Sequence, residues 1–225
     1  MTTPSYKSSV YLIIPVFNEQ GRIEAVIRES LKYLPATRIV IVDDGSKYPL
    51  KPTRGVTVLR HILNLGKGAA LKTGIEYAIL WGGRRFILMD GDGQHQPREI
   101  NRFIKLLDDG NDVVFGSRRP SLRTPLIRLL GNKFASIYVN LIFGVYISDI
   151  LSGFRAINLR AYRLLYWSSL RYGVETEIVA RLGKYRQSLK FSEFPIKTIY
   201  TDKYKGVTIL DALHILGQSI WWKLS

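Results

Sequence analysis

Hydrophobic residues in the first half of the chain fall into two alternating patterns. Short runs rich in β-branched residues predict strands at 10–16, 38–42, 56–59, 86–89 and 113–116. Between these runs, apolar residues recur every three or four positions, which predicts helices over 22–34, 68–81 and 97–107. Strands that alternate with helices in this way are typical of an α/β fold with a mostly parallel sheet flanked by helices.

The second half of the chain is more helical and less regular. Its apolar spacing predicts helices over 126–144, 159–165 and 175–185, and a terminal helix from about residue 209. Two short strands, 189–194 and 197–200, are predicted to pair around Pro195. No repeat or Pro- and Gly-rich linker separates the halves, so we predict one domain over 1–225, with parts at about 9–118 and 119–225.

Composition narrows the chemistry that this chain can carry. Its 225 residues are 46% hydrophobic and 23% charged, and none is cysteine. A disulfide scaffold, a thiolate zinc site and a cysteine nucleophile are therefore excluded, and a metal would need Asp, Glu, His or Gln ligands. The apolar runs 10–17 and 134–147 are shorter than the ~20 residues that span a bilayer, so we expect no transmembrane helix.

The charge is strongly basic and unevenly distributed. The formal net charge is +15; residues 1–117 carry 16 basic and 12 acidic side chains, whereas residues 118–225 carry 17 and 6. Eight Arg and one Lys lie between Arg118 and Arg171, against the single acid Asp149. A basic region of this kind attracts nucleic acid, an anionic membrane surface or a phosphorylated ligand. Charge alone does not choose among these partners, and a solvated face with no partner is also open.

Polar residues follow the predicted strands at the edge where parallel sheets bind ligands. These segments are Asn18-Glu19, Asp43-Asp44, Asp90-Gly91-Asp92 and Gly116-Ser117-Arg118. Acidic pairs that meet at one edge repel one another unless a cation stands between them. Two nearby carboxylates suit Mg²⁺ or Mn²⁺ bridging a diphosphate, so Asp90 and Asp92 are the sharpest candidates.

Three other signals are weaker. Gly66-Lys67-Gly68 lacks the spacing of a phosphate-binding loop and is interpreted as a tight turn that opens a helix. The three histidines, at positions 61, 95 and 214, have no metal-ligand spacing and are interpreted as structural. No Gly-x-Ser-x-Gly segment is present, so nothing supports a serine hydrolase of that type.

Five ordered segments resemble the family 2 glycosyltransferases. They are Ile14-Pro15-Val16-Phe17-Asn18-Glu19, Ile41-Val42-Asp43-Asp44-Gly45-Ser46, Leu88-Met89-Asp90-Gly91-Asp92-Gly93-Gln94-His95, Gly116-Ser117-Arg118 and Ser152-Gly153-Phe154-Arg155-Ala156. The subgroup is similar to the dolichyl-phosphate mannose synthases, which pass a sugar from a nucleotide diphosphate to a polyprenyl phosphate. The resemblance implies a GT-A (Rossmann-like) fold whose first part binds the nucleotide sugar and whose second, helical and basic part binds the acceptor.

The resemblance also implies roles for individual residues. The donor would be bound by Pro15, Phe17, Asn18, Glu19, Asp43, Asp44, Asp90 and Gly91, and the metal by Asp90, Asp92 and Gln94. The acceptor would be bound by Arg118, Ser152, Gly153, Phe154 and Arg155. Asp92, Arg118 and Asp149 are the catalytic candidates. Residues 200–208 depart from the segment that mannose synthases often carry, which leaves a GDP-mannose or a UDP-glucose type of donor open.

The ionisation of the acceptor separates two mechanisms. A phosphate monoester has a second pKa of about 6 and is already largely ionised at neutral pH, whereas a sugar hydroxyl needs a general base. Asp149 is then either a loop carboxylate paired with an arginine or that base. Transfer to a sugar hydroxyl in glycan assembly is the main alternative; a nucleic-acid-binding protein and a sugar nucleotidyltransferase are weaker ones.

Two apolar helix faces predict docking on a membrane from the cytoplasmic side. Residues 134, 137, 138, 141, 142 and 145 form one face, and residues 209, 213, 216 and 220 form another that ends in Trp221-Trp222-Lys223. Packing on the sheet explains many such faces. Adjacent tryptophans with a lysine suit a membrane interface. We expect an anionic membrane surface and no nucleic acid as partners; a membrane protein or a second copy is left open.

Overall fold

The computed structural model describes residues 9–119, 126–171, 173–197 and 217. The strands are β1 (Val10–Val16), β2 (Ile39–Asp43), β3 (Thr57–Arg60), β4 (Arg85–Leu88), β5 (Val113–Arg118), β6 (Arg155–Asn158) and β7 (Phe191–Ile196). The helices are α1 (Gln20–Ser30), α2 (Lys67–Leu80), α3 (Ile100–Asp108), α4 (Leu126–Phe143), α5 (Leu159–Leu164) and α6 (Val174–Lys184). Short 3₁₀ turns at Ala36–Arg38 and Pro97–Glu99 precede β2 and α3.

The seven strands form one sheet in the order β3-β2-β1-β4-β6-β5-β7. All neighbours are parallel except β6, which runs antiparallel to both β4 and β5. The predicted α/β fold with a mostly parallel sheet is confirmed. Because β2, β1 and β4 are adjacent, the polar segments that follow them emerge side by side, as ligand-binding segments do in open α/β sheets.

Apolar side chains cover both faces of the sheet. One cluster places Ile13 and Val42 against residues of α2, α4, α5 and α6, and the other places Ile14 and Ile41 against α1 and α3. Successive residues of β1 alternate between the two clusters because strand side chains point to opposite faces. Both clusters contain residues from each half of the chain.

The second half contributes strands as well as helices, so the predicted helical character of this half is not confirmed. Arg155, the last residue of the acceptor segment that the resemblance implies, begins β6, which lies between β4 and β5. The short sequence Arg-Ala-Ile-Asn has one β-branched residue and gives no local strand signal. Pairing on both sides decides its conformation, which only the assembled sheet supplies.

The predicted hairpin around Pro195 is wrong. Pro195 lies within β7, which pairs in parallel with β5 so that Pro195 stands opposite Ser117. Proline lacks an N–H group but is tolerated on an edge strand, and β7 is the last strand of the sheet. Residues 198–200 of the other predicted strand, and the helix predicted from about residue 209, lie outside the described residues.

Helix α4 exposes an apolar stripe along one side. Leu130, Phe134, Ile137 and Leu141 are 65%, 61%, 44% and 77% exposed, at helical spacing, whereas Val139 on the opposite side is buried. The predicted face at residues 134–145 is therefore divided between solvent and core. In the described part of the chain no helix is both long enough and apolar enough to cross a membrane.

A buried carboxylate fixes the start of α6 to the loop before it. Glu177 accepts hydrogen bonds from the main-chain N–H groups of Ser168 (2.8 Å) and Ser169 (2.7 Å) and from Arg181 Nε (2.7 Å). Burial alone would raise the pKa of Glu177, but these partners hold it below its ordinary value. A depressed pKa means that folding favours the ionised carboxylate.

We expect Glu177→Gln to lower the free energy of unfolding by about 2 kcal/mol at pH 7, because the amide cannot satisfy all of these donors. Since the folded pKa is the lower one, the carboxylate stabilises the fold near neutral pH and ceases to do so as the pH falls through that folded pKa. Urea unfolding at several pH values measures this difference. Glu24→Gln, at an exposed position of α1, is the control and should change little; equal losses in the two variants would contradict the prediction.

Candidate active site

The two aspartates that follow β2 have different surroundings. Asp44 accepts hydrogen bonds from the N–H groups of Leu65 (3.0 Å) and Gly66 (2.8 Å) and lies 2.7 Å from His61 Nδ1. Both of its oxygens are thus used to hold the loop before α2. Asp43 Oδ1 accepts from Ser46 N–H, but its buried Oδ2 has no hydrogen-bond partner among the described residues.

The segment after β1 forms the neighbouring wall. Asn18 has a positive φ of 56°, its N–H donates to Ser46 Oγ (2.9 Å), and its Oδ1 accepts from Lys47 N–H (3.0 Å). These bonds tie the ends of β1 and β2 together. Phe17 is 46% exposed beside them, whereas Pro15 is part of β1 and Glu19 lies 3.6 Å from Arg22.

A largely buried lysine, 18% exposed, links the acidic segment after β4 to the second half of the chain. Lys67 Nζ lies 2.6 Å from Asp90 Oδ1 and 2.6 Å from Glu175 Oε1. Lys67 is the first residue of α2 and Glu175 is in the first turn of α6. One ammonium group therefore joins three elements at the carboxyl edge of the sheet.

This arrangement keeps Asp90 ionised. Burial alone would raise the pKa of Asp90, but the Lys67 ammonium and a contact with His95 hold it well below its usual range. His95 Nε2 lies 3.5 Å from Asp90 Oδ2, and the ring packs against Phe154. Burial would also lower the pKa of Lys67, but the two carboxylates raise it above its ordinary value.

The surroundings of Asp92 disfavour its ionised form. Burial, and then the negative charge of Asp90, raise the pKa of Asp92. Gln94 partly offsets this effect, because its main-chain N–H and its side-chain amide each donate to Asp92 at 2.9 Å. Gly91 lies between the two aspartates, and a Cβ there would be 2.9 Å from Val16 Cγ2, so the turn packs tightly on β1.

The residues present fit a divalent cation that is shared with a ligand. Asp90 and Asp92 supply hard oxygen ligands, and a cation beside them would relieve the repulsion that raises the pKa of Asp92. Within the described residues no three His, Asp or Glu side chains group closely enough to hold a metal by themselves. Mg²⁺ and similar ions are commonly held by one or two carboxylates together with substrate phosphates, which matches this set.

Gly153 is the member of the predicted acceptor segment that reaches the acidic centre. A Cβ on Gly153 would lie 2.5 Å from Asp90 Oδ2 and 2.6 Å from Lys67 Nζ, so only glycine leaves room for this pair. The side chains of Ser152, Phe154 and Arg155 are each at least 98% buried. They are not placed where an acceptor would arrive from solvent.

Arg155 supports the acceptor segment from beneath. Its guanidinium donates to the carbonyl oxygens of Ser152 (2.6 Å), Ile150 (3.1 Å) and Glu175 (3.2 Å). Burial lowers its pKa, and nearby carboxylates oppose that effect. Arg155 therefore holds residues 150–152 against the start of α6 rather than presenting its charge to a ligand.

Arg118 and Asp149 form a paired unit at the end of β5. Arg118 Nε lies 2.6 Å from Asp149 Oδ2, Arg118 Nη2 lies 2.8 Å from Oδ1, and the Arg118 N–H also donates to Oδ2. Asp149 is 3% exposed. This geometry favours the interpretation of Asp149 as a loop carboxylate paired with an arginine over that of a free general base.

Sequence reasoning missed Lys67 and Glu175 and treated His95 as structural. Lys67 had a usable signal, because Gly66-Lys67-Gly68 follows β3 and so opens α2 at the ligand edge. Glu175 had none, since its closeness to Lys67 depends on how α6 packs. His61 contacts Asp44 and Thr73, and residue 214 lies outside the described residues.

The family comparison matches this geometry. The sequence model of the family described as "Glycosyl transferase family 2" matches residues 11–162, which include the three polar segments and Gly153. The chain is a family 2 glycosyltransferase. As an enzyme, it has to bind a sugar donor, and the loops after β1, β2 and β4 are the described elements that adjoin one another at the ligand edge.

Relatives of this glycosyltransferase carry names of lipid-phosphate enzymes. The UDP-N-acetylglucosamine–dolichyl-phosphate N-acetylglucosaminyltransferase of Methanococcus voltae is 32% identical, over 96% of this chain and 94% of that protein. The dolichol-phosphate mannosyltransferase of Pyrococcus furiosus is 29% identical, over 95% of this chain and 64% of that protein.

Solved structures confirm the GT-A type of fold. Glucosyl-3-phosphoglycerate synthase of Mycobacterium tuberculosis, in a complex with Mn²⁺, UDP-glucose and glycerol 3-phosphate, superposes with a TM-score of 0.65. The match covers 96% of this glycosyltransferase and 79% of that chain, at 18% identity. At this identity the likeness concerns the fold alone.

We expect Gly153→Ala to disrupt the acidic centre while the sheet remains folded, because the added methyl group would collide with the Asp90–Lys67 pair. Binding of Mn²⁺ together with a nucleotide diphosphate should weaken by at least about tenfold. Isothermal titration measures the affinity, and circular dichroism checks the fold.

Gly21→Ala is the matched control, because no atom lies within 4 Å of a Cβ at that position of α1. Wild-type affinity in both variants would contradict the close packing at Gly153.

Proposed function

We propose that this enzyme is a metal-dependent, inverting glycosyltransferase that moves a hexose from a nucleotide diphosphate sugar to a polyprenyl phosphate. The observation that carries the proposal is the Asp90–Asp92 pair at the carboxyl edge of the sheet, held by Lys67 and adjoined by Gly153. The names of relatives that cover nearly the whole chain support the choice of acceptor.

The donor nucleoside would lie between the loops after β1 and β2. Asp43 Oδ2 has no hydrogen-bond partner in the described chain and can accept from an N–H of the base, whereas both oxygens of Asp44 are occupied. The half-exposed Phe17 ring offers an apolar surface beside it. The occupied oxygens of Asp44 assign it to positioning the α2 loop.

The donor diphosphate would lie beside Asp90 and Asp92. These two carboxylates would hold Mg²⁺ or Mn²⁺, with Gln94 orienting Asp92 through the bonds described above. When bound, such an ion neutralises charge that develops on the leaving diphosphate. Lys67 keeps Asp90 ionised and in place before the donor arrives.

In the transfer step, an acceptor phosphate oxygen attacks the anomeric carbon as the bond from that carbon to the β-phosphate oxygen breaks. The electron pair leaves with the nucleoside diphosphate, and the anomeric configuration inverts. An acceptor that is already ionised needs no base, which agrees with the engagement of both Asp149 oxygens by Arg118. Arg118, with Gly153 beside Asp90, would position the incoming phosphate.

The enzyme would work while docked on a membrane from the cytoplasmic side. The exposed stripe of α4, formed by Leu130, Phe134, Ile137 and Leu141, supports docking on a membrane surface. Large apolar side chains at helical spacing suit burial at the boundary between headgroups and acyl chains. The second predicted stripe, at residues 209–220, lies outside the described residues.

We expect sugar transfer from a panel of GDP- and UDP-sugars to a short polyprenyl phosphate, measured with radiolabelled donors in Mn²⁺ or Mg²⁺. Asp92→Asn should lower the rate by on the order of 10²–10³-fold, because it removes one of the two anionic groups beside the diphosphate. The donor that supplies the label identifies the sugar and the base, and chelation of the metal should abolish transfer.

Asp109→Asn is the control, because it removes a carboxylate at the exposed end of α3. Label in a sugar-hydroxyl product, with none in the lipid phase, would overturn the polyprenyl phosphate acceptor and leave the donor site intact.

A further inference from the structure

A basic cleft lies outside the candidate active site, between the start of α3 and the ends of β5 and β7. Its volume is about 390 Å³. The cationic side chains that line it are Arg98, Arg102, Arg119 and Lys197, and Glu99 is the acidic one. The N–H of Arg119 donates to the carbonyl of Ile196 (3.3 Å), which closes the cleft on the strand side.

The charges of this cleft are largely uncompensated. Arg98 lies 3.6 Å from Glu99. Among the described residues no carboxylate lies within salt-bridge distance of Arg102, Arg119 or Lys197. The Arg102 guanidinium instead lies 4.3 Å from the centre of the Phe194 ring. Three cations that line one cavity repel one another, and an anion bound among them would relieve that repulsion.

The cleft is separate from the acceptor position proposed above. Arg118 is the last residue of β5, and Arg119 follows it outside the strand. Arg118 is bound to Asp149, whereas Arg119 lines the cleft beside α3. Arg118 and Arg119 therefore contribute to two different sites.

The shape of the cleft favours a small phosphate-bearing group over nucleic acid. Its volume is in the range of sites for small ligands, about 300–1,000 Å³, whereas a nucleic acid needs an extended basic track. The exposed Pro195 ring gives the cleft an apolar surface beside the cations. An anionic group with an adjoining apolar portion is the chemistry of a phospholipid headgroup and its glycerol.

We propose that this cleft binds the phosphate of an anionic phospholipid headgroup, with Arg102, Arg119 and Lys197 as its cationic contacts. The inference rests on the proposed function, since an acceptor embedded in a membrane requires the enzyme to dock there. It would place a specific anion contact at the ends of β5 and β7. Such a contact sets which membrane surface the enzyme binds and how strongly salt weakens the binding.

The test measures binding of the whole chain to vesicles of phosphatidylglycerol and phosphatidylcholine that contain no polyprenyl phosphate and no nucleotide sugar. The cleft variant is R102Q/R119Q/K197Q, and the control variant is R28Q/K51Q/R54Q. All six residues are exposed, and both variants remove three positive charges. We expect the affinity of the cleft variant to fall by about 100-fold and that of the control by less than about threefold.

Equal losses of vesicle affinity in the two variants would contradict a binding site in the cleft and would indicate a diffuse charge effect. Inorganic phosphate is titrated separately, with thermal unfolding as the readout. A second outcome is that free phosphate strongly raises the unfolding temperature of the wild type while the cleft variant still binds vesicles as the wild type does. That result would indicate a site for a soluble anion and would contradict binding of a lipid headgroup. Wild-type transfer to a short polyprenyl phosphate in detergent is measured apart from these assays, so failure of the proposed function is recognised independently.

Discussion

The ammonium group of Lys67 is the interaction on which the active site depends. It lies 2.6 Å from carboxylates of two elements that are far apart in sequence, Asp90 after β4 and Glu175 in α6. The carboxylates of Asp90, Glu175 and the nearby Asp92 would repel one another without it. The same pair sets how closely Gly153 can approach, and so brings the segment at residues 152–155 against the acidic segment after β4.

The neighbouring aspartates show how similar residues acquire different tasks. Asp44 holds the loop that presents Lys67, because its oxygens accept the N–H groups of Leu65 and Gly66. Asp43, one residue earlier, keeps a buried oxygen that accepts no hydrogen bond among the described residues, with Arg60 Nε 3.8 Å away. Because a buried acceptor without a partner is costly, such an oxygen is typical of a site where a ligand completes the bonding.

The basic residues of the second half are likewise divided by their surroundings. Arg155 is buried and supports the loop over the acidic centre, Arg118 is paired with Asp149, and Arg119 faces a separate cleft. The basic residues of the second half look alike in the sequence, but in the structure they differ in role: some support the fold, some lie beside the candidate active site and some line the surface. Each depends on which carboxylate or carbonyl the fold places beside it.

The sequence by itself determined the α/β class, the approximate positions of the first five strands along the chain and the edge at which the acidic segments meet, because these follow from local periodicity and from the rule for parallel sheets. It also marked Asp90, Asp92 and Gly153 through the ordered family segments. Only the tertiary structure decided that 155–158 is a strand, that Pro195 continues β7, and that Glu175 reaches Lys67. These features depend on contacts between residues that are distant along the chain, and local patterns carry no record of such contacts.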